Sequence, residues 1–181
     1  MSTRKGNIVL MNEVIDEAEQ RAKTLNENPE VAHAVGIAAI KYNILSQNRN
    51  TDITFDWDRM LSFDGNSGPY LQYTYARARS ILRRADEPVK STNDDPENVE
   101  ILTNAVLRGF PKFSEILNSA AQEYKPHILT NYIFDFAQKF NAFYNSVPVL
   151  KAKDKSQKEG RLKMVEASAQ LIKNVLGLLG I

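Results

Sequence analysis

Two groups of side chains in this 181-residue chain carry chemistry by type and spacing. The first is Met1-Ser2-Thr3-Arg4-Lys5-Gly6-Asn7, where a small polar pair, two adjacent cations and a Gly-Asn turn lead into Ile8-Val9-Leu10. A mobile loop of this composition brings cations to phosphate oxygens and stabilises the charge that builds up on them. It needs a nucleotide pocket to close over, and no residues precede Met1 to build one. The chain is therefore expected to be the back end of something larger. The second group lies on a helix that Pro69 opens. At about 100° per residue, Tyr70, Tyr73, Arg77 and Arg84 fall within a sector of about 60°. Tyrosine rings stack on unpaired bases, while Arg neutralises phosphate or bonds a base edge. The same residues also suit a tyrosine-lined core helix with a solvated cationic face, and by themselves they leave both open.

The elements that must position these groups are helical. Val14, Ile15, Ala18, Ala22 and Leu25 recur at helical spacing, with Asn12 as the expected N-cap. Asn28-Pro29-Glu30 ends that helix and starts another, with Pro in the first helical position. Val31 to Leu45 is apolar nearly all round, which predicts a buried helix, and Gly36 within it permits close helix packing. Ser46 to Asp58 reads as an extended crossing anchored by Ile53, Phe55 and Trp57. Asp64-Gly65-Asn66-Ser67-Gly68 is the strongest turn signal. The Pro69 helix should run to about Arg84, with Leu71, Tyr75, Ala78 and Leu82 as its core stripe. A polar stretch from Glu87 to Glu97 reads as a solvated linker. Helices are then expected from Glu97 to Gly109, from Pro111 to Tyr124, from Pro126 through Phe143, and from Arg161 to Leu179, with a charged loop over Lys151–Glu159. The fold class predicted is all-α: an antiparallel helical bundle over 61–181, preceded by a small, mostly helical junction over 1–60.

Composition narrows the setting. The apolar share is 43% and the charged share 25%, ordinary for a soluble globular protein. Lys plus Arg is 23 against 22 for Asp plus Glu, so any nucleic-acid site must be a local patch rather than a basic domain. Cys is absent, which excludes disulfides and thiolate metal sites and fits a reducing cytoplasm. The start lacks the apolar run of a secretory signal, and no apolar window reaches membrane-spanning length.

Asp56-Trp57-Asp58-Arg59-Met60-Leu61-Ser62-Phe63-Asp64-Gly65-Asn66-Ser67-Gly68-Pro69-Tyr70-Leu71-Gln72-Tyr73 resembles the signature of class I arginyl-tRNA synthetases. Met1-Ser2-Thr3-Arg4-Lys5-Gly6-Asn7 resembles that family's version of the Lys-Met-Ser-Lys-Ser loop. Val35–Tyr42 with Leu45–Arg49, and Gly160-Arg161-Leu162 through Gly177–Ile181, extend the likeness over essentially the whole chain.

The resemblance implies a helical anticodon-binding domain over 61–181, and over 1–60 a remnant of the catalytic domain and junction. In the parent enzyme, ATP with Mg²⁺, arginine and tRNA(Arg) would give arginyl-tRNA(Arg), AMP and diphosphate. The opening loop would close on ATP, with Arg4 and Lys5 as its cations because Thr3 stands where the general motif has its second Lys. The class I His-Ile-Gly-His signature is absent, so aminoacylation by this chain alone is not expected. Tyr73 and Arg77 fall where the family contacts anticodon-loop bases, and Tyr144 falls where a further aromatic meets that loop. Tyr70 joins them on the helix edge, with Gln72, Asn66 and Asn131 as secondary polar candidates. The implied partners are tRNA(Arg) and the catalytic domain, with no DNA and no membrane, in the cytoplasm.

Other features point nowhere. His33 and His127 lack a nearby cluster of metal ligands and are read as structural. Asp56 and Asp58, at i, i+2, cannot share a helix face. Two rivals remain from the residues alone. One is a stand-alone helical protein-interaction module, which predicts an exposed apolar patch and no RNA binding. The other is a nucleotide-dependent enzyme built on Arg4 and Lys5, which predicts ATP binding by the isolated chain.

Overall fold

The computed structural model describes residues 10–85, 96–152 and 154–181. Helices make up most of the described residues and no strand occurs among them, as the all-α expectation requires. In chain order the helices are α1 (Met11–Lys23), α2 (Pro29–Leu45), the single-turn α3 (Trp57–Met60), α4 (Gly68–Arg83), α5 (Pro96–Leu107), α6 (Lys112–Gln122), α7 (Pro126–Ser146) and α8 (Lys155–Leu178), with a 3-10 turn at Val149–Lys151 before α8.

Local signals set most of these ends. The Asn28 side chain accepts from the Glu30 and Val31 N–H groups, so with Pro29 it caps α2 as its sequence predicts. Ser67 caps α4 by accepting from Tyr70 N–H at 3.1 Å. Three elements differ from expectation. Asn12 is not the cap of α1; Leu10 precedes the helix, and its own N–H donates to the Glu13 carboxylate at 2.9 Å. The crossing is not extended to its end, because Asp56 accepts from Arg59 N–H and starts α3, while Ile53 is left exposed rather than anchoring. Helix α8 begins six residues before Arg161, since Asp154 accepts from Gln157 N–H at 2.8 Å; the supposed charged loop is largely a solvated first turn. The expected Glu87–Glu97 linker falls mostly outside the described residues.

Two apolar clusters organise the helices. The smaller gathers Val14, Ala18 and Ala22 of α1 with Ala32, Ala39 and Ile40 of α2, and is closed by Met60 and Leu61. The larger is centred on α7, whose Ile133, Phe136, Phe140 and Phe143 are essentially fully buried against Val165, Ile172 and Val175 of α8. A buried Phe of this kind is worth about 1.5–3 kcal/mol relative to leaving it exposed. Helices α5 and α6 pack on α7, while α4 packs on α2, α7 and α8.

Helix α2 serves both clusters, because Tyr42 belongs to the larger one. That explains its nearly all-round apolar sequence, although Val31 stays exposed at its start. Its neighbours come very close. A Cβ on Gly36 would lie 3.1 Å from the Ala18 backbone, and one on Gly68 would lie 2.4 Å from the Ala38 carbonyl oxygen. Two cations reinforce the join from afar. Lys41 Nζ donates to Gly180 O past the end of α8. Arg49 Nη1 donates to Glu123 O at 3.0 Å and to Tyr124 O at 2.9 Å, at the end of α6.

Two outcomes follow for stability. Gly68→Ala forces two backbones apart and should cost about 1–3 kcal/mol, seen as a lower urea midpoint. Burial pushes the Tyr132 phenol, which donates to Gly109 O, up to about 12, and raises Tyr42 as well. The unfolded phenol ionises near 10 while the folded one stays neutral, so the stabilisation is whole below pH 10 and is lost as pH rises from there through about 12. Denaturation at stepped alkaline pH should show that fall, and Tyr132→Phe should make it shallower.

Candidate nucleic-acid interface

Helix α4 divides into a dry side and a wet side. Leu71, Thr74, Ala78 and Ile81 are buried, so the core stripe runs through Thr74 and Ile81, with Tyr75 and Leu82 half-buried at its margin. On the wet edge Tyr73 is 45% exposed, and Arg77 stands one turn further on. The Arg77 guanidinium carbon lies 4.6 Å from the Tyr73 ring centroid and also 4.6 Å from that of Tyr144, which projects from the last turns of α7. Two rings thus clasp one delocalised cation, an arrangement that an ammonium could not match in plane or in donor geometry.

A buried amide fixes this clasp from beneath. Asn141, one helical turn before Tyr144, accepts from Arg77 Nη1 at 2.9 Å through its Oδ1. Its Nδ2 donates to Tyr70 Oη and to Thr74 Oγ1, both at 2.9 Å. The Thr74 hydroxyl in turn donates to Tyr70 O at 2.8 Å, and Arg77 Nη2 donates to Tyr73 Oη at 3.2 Å. Each bond replaces water that burial removes, and bonds to the charged guanidinium are the stronger ones. The site is therefore built before any ligand arrives. Arg77 keeps N–H groups beyond those its protein partners use, because a guanidinium has five.

The residues singled out by sequence are brought together unequally. Tyr73, Arg77 and Tyr144 form one cluster. Tyr70 adjoins it but is half-buried, its ring edge-on to Phe134 at 5.6 Å and its hydroxyl held by Asn141. Arg84 is exposed at the C-cap of α4. Gln72 turns toward α2 and donates to Ala34 O, and Asn66 accepts from the Tyr42 hydroxyl at 2.6 Å. Asn131 is exposed on α7. The loop of Met1, Ser2, Thr3, Arg4, Lys5, Gly6 and Asn7 lies outside the described residues. Neither histidine joins a metal site: His33 Nδ1 meets the Glu19 carboxylate, and among the described residues no three His, Cys, Asp or Glu gather around a point. No described helix is long and apolar enough to cross a membrane.

Sequence reasoning passed over Asn141 and Thr74. The signal was present, since each is a polar residue set within an apolar stripe, Thr74 between Leu71 and Ala78 and Asn141 between Phe140 and Phe143. Such a position predicts a partner that the sequence cannot name. Asn141→Ala should leave Tyr70, Thr74 and Arg77 short of a bond. A loss of about 1–3 kcal/mol is expected by urea denaturation, while truncating the exposed Asn131 should change little.

Comparison with known proteins gives consistent results. Residues 71–181 match the profile described as DALR anticodon binding domain, and residues 1–57 match that of tRNA synthetases class I (R), catalytic domain. Among curated relatives, the arginine–tRNA ligase of Vibrio parahaemolyticus is 40% identical over 99% of the chain. That of Laribacter hongkongensis is 41% identical over the same share. The chain spans about a third of the length of each, 33% and 32%. Among solved structures, Thermus thermophilus arginyl-tRNA synthetase superposes with a TM-score of 0.84 at 33% identity, covering 96% of this chain and 31% of that one. The Plasmodium falciparum arginyl-tRNA synthetase gives 0.74 at 28% identity, with 96% and 33% covered.

Proposed function

The chain belongs to the DALR anticodon binding domain family, and on that premise we propose that it serves an arginine–tRNA ligase by holding the anticodon loop of tRNA(Arg). The observation that carries this reading is the Arg77 guanidinium clasped by the Tyr73 and Tyr144 rings and pinned by Asn141. Unpaired loop bases present ring faces and polar edges together. The tyrosine rings offer surfaces to stack on, while Arg77 supplies charge and edge N–H donors in a fixed position. With two rings already beside its guanidinium carbon and N–H groups bonded to Asn141 and Tyr73, Arg77 acts through its remaining N–H donors and its charge. Tyr70 acts beneath, orienting Asn141 through its hydroxyl.

The same reading divides the chain into a junction over 1–60 and a binding bundle over 61–181. The two apolar clusters and the two matched profiles support it. In the complete reaction, ATP with Mg²⁺ activates arginine, which is then joined to tRNA(Arg) in the cytoplasm. Arg4 and Lys5 of the opening loop are the residues of this chain assigned to the ATP phosphates. What the described residues contribute is recognition of the far end of the RNA.

An anticodon stem-loop of tRNA(Arg), titrated by fluorescence anisotropy, tests the proposal. Binding should weaken steeply with salt, since phosphate contacts dominate affinity. Arg77→Ala and Tyr144→Ala should each weaken it about tenfold or more, and Arg77→Lys should not restore it. Equal affinity for a hairpin with an altered anticodon would remove the specific role.

A further inference from the structure

The turn between α6 and α7 holds the most exposed aromatic ring among the described residues. Tyr124 is 78% exposed and takes φ +54°, a left-handed backbone that crowds any side chain. It closes α6 in the manner usual for glycine: Lys125 N–H donates to Ala120 O at 2.9 Å, and Tyr124 N–H donates to Ala121 O at 3.3 Å. Arg49 fixes the turn further by donating to the carbonyls of Glu123 and Tyr124. A ring held in water on a strained backbone adds nothing to the core, and strain of this kind is found at ligand clamps and other functional sites.

Beside the ring lies a shallow apolar groove of about 420 Å³. Leu117 and Ala121 of α6, Pro126 at the start of α7 and Leu178 at the end of α8 line it, and Leu178 is itself 57% exposed. A protruding ring next to an open groove on one face is self-complementary, because about a two-fold axis the ring of each copy meets the groove of the other. The charges agree with this. The face carries one acid and one base, Glu123 and Lys125, which pair at 2.6 Å and are both exposed, so a second copy brings an ammonium for each carboxylate. The last carbonyls of α6, the negative end of its dipole, are already met by Arg49 and ask for no further cation. Across the chain, 23 basic residues against 22 acidic ones leave two copies with little mutual repulsion. A nucleic acid would find no excess of positive charge on this face.

We propose that Tyr124 and the groove beside it form a self-association surface, at which two copies of this chain pair about a two-fold axis with each Tyr124 ring in the groove of the other. The contact is small, which makes the pair weak and reversible. It lies apart from the Tyr73–Arg77–Tyr144 cluster. Most of the 21-residue α7 separates Tyr144 from Pro126, roughly 30 Å at 1.5 Å per residue. Pairing therefore leaves the cluster open, and the two readings stand or fall separately.

Sedimentation equilibrium of the native chain between about 10 μM and about 1 mM tests the proposal, and the apparent mass should climb from that of one chain toward that of two. Tyr124→Gly removes the ring and suits the left-handed backbone. It should weaken pairing about tenfold or more while the thermal midpoint stays near the native value, because relief of strain and the added freedom of the unfolded chain oppose each other. Leu178→Glu, at an exposed position, places a charge in the groove and should weaken pairing as much. Tyr124→Phe keeps the ring and should pair as the native chain does. A native chain that stays monomeric throughout would overturn the proposal and leave the face to a different polypeptide. Undiminished pairing in Tyr124→Gly and Leu178→Glu would overturn it by placing the contact elsewhere, and a loss in Tyr124→Phe equal to that in Tyr124→Gly would overturn the insertion of the ring.

Discussion

Helix α4 can reach its place only because its first residue has no side chain. Gly68 rests on the α2 backbone at Ala38, so closely that a single added carbon would overlap the carbonyl. From that contact α4 runs across the molecule against α2, α7 and α8, and shares a buried face with the larger core. The position of Tyr73 and Arg77 relative to Tyr144 is therefore inherited from a backbone-to-backbone approach about one and a half to two and a half turns back along the helix. Side-chain packing can relax by a rotamer; a contact between two main chains has no such freedom.

The polar knot beneath the surface does a different job. Asn141 is 8% exposed and makes three hydrogen bonds, to α4 residues at three positions, Tyr70, Thr74 and Arg77. An apolar residue there could hold the helices together, but it would not fix the rotation of α4 about its own axis. A carboxamide does, because donor and acceptor must both find their partners at once. Arg77 is then held with its charge beside two rings in the protein by itself, which lowers the ordering entropy that any ligand bound there would otherwise cost.

How much of this was legible in the sequence depended on range. The starts of α2, α4 and α7 were legible because Asn28-Pro29, Ser67-Gly68-Pro69 and Pro126 act within a few residues. The core face of α7 followed from periodicity, and the close-packing role of Gly36 from its lack of a side chain, whereas the α4 stripe was placed one position late at Tyr75 and Leu82, where Thr74 and Ile81 are the buried residues. The beginning of α8 was misread because Lys155–Glu159 is charged throughout, and a solvated helical turn has the composition of a loop. Tyr70 shows the limit of the helical wheel. Its angle placed it correctly on the edge, but whether that edge faces water or α7 depends on a residue 71 positions away. Asn141 was missed for the same reason, since its importance lies in partners on another element. The family resemblance supplied what local patterns lacked for Tyr73, Arg77 and Tyr144, yet not the amide that organises them.

The two long-range cations have a consequence for how this protein tolerates change over time. Lys41 and Arg49 hold Gly180, Glu123 and Tyr124 by hydrogen bonds to their main-chain carbonyls. Every amino acid offers the same carbonyl, but the backbones that present two of these three are special: Gly180 takes φ +71° and Tyr124 φ +54°. What the ends of α6 and α8 must preserve is therefore a chain reversal and not a side-chain chemistry, whereas the N-terminal segment must keep two particular side chains. An interface secured in that way places a conformational demand on one partner and a chemical demand on the other.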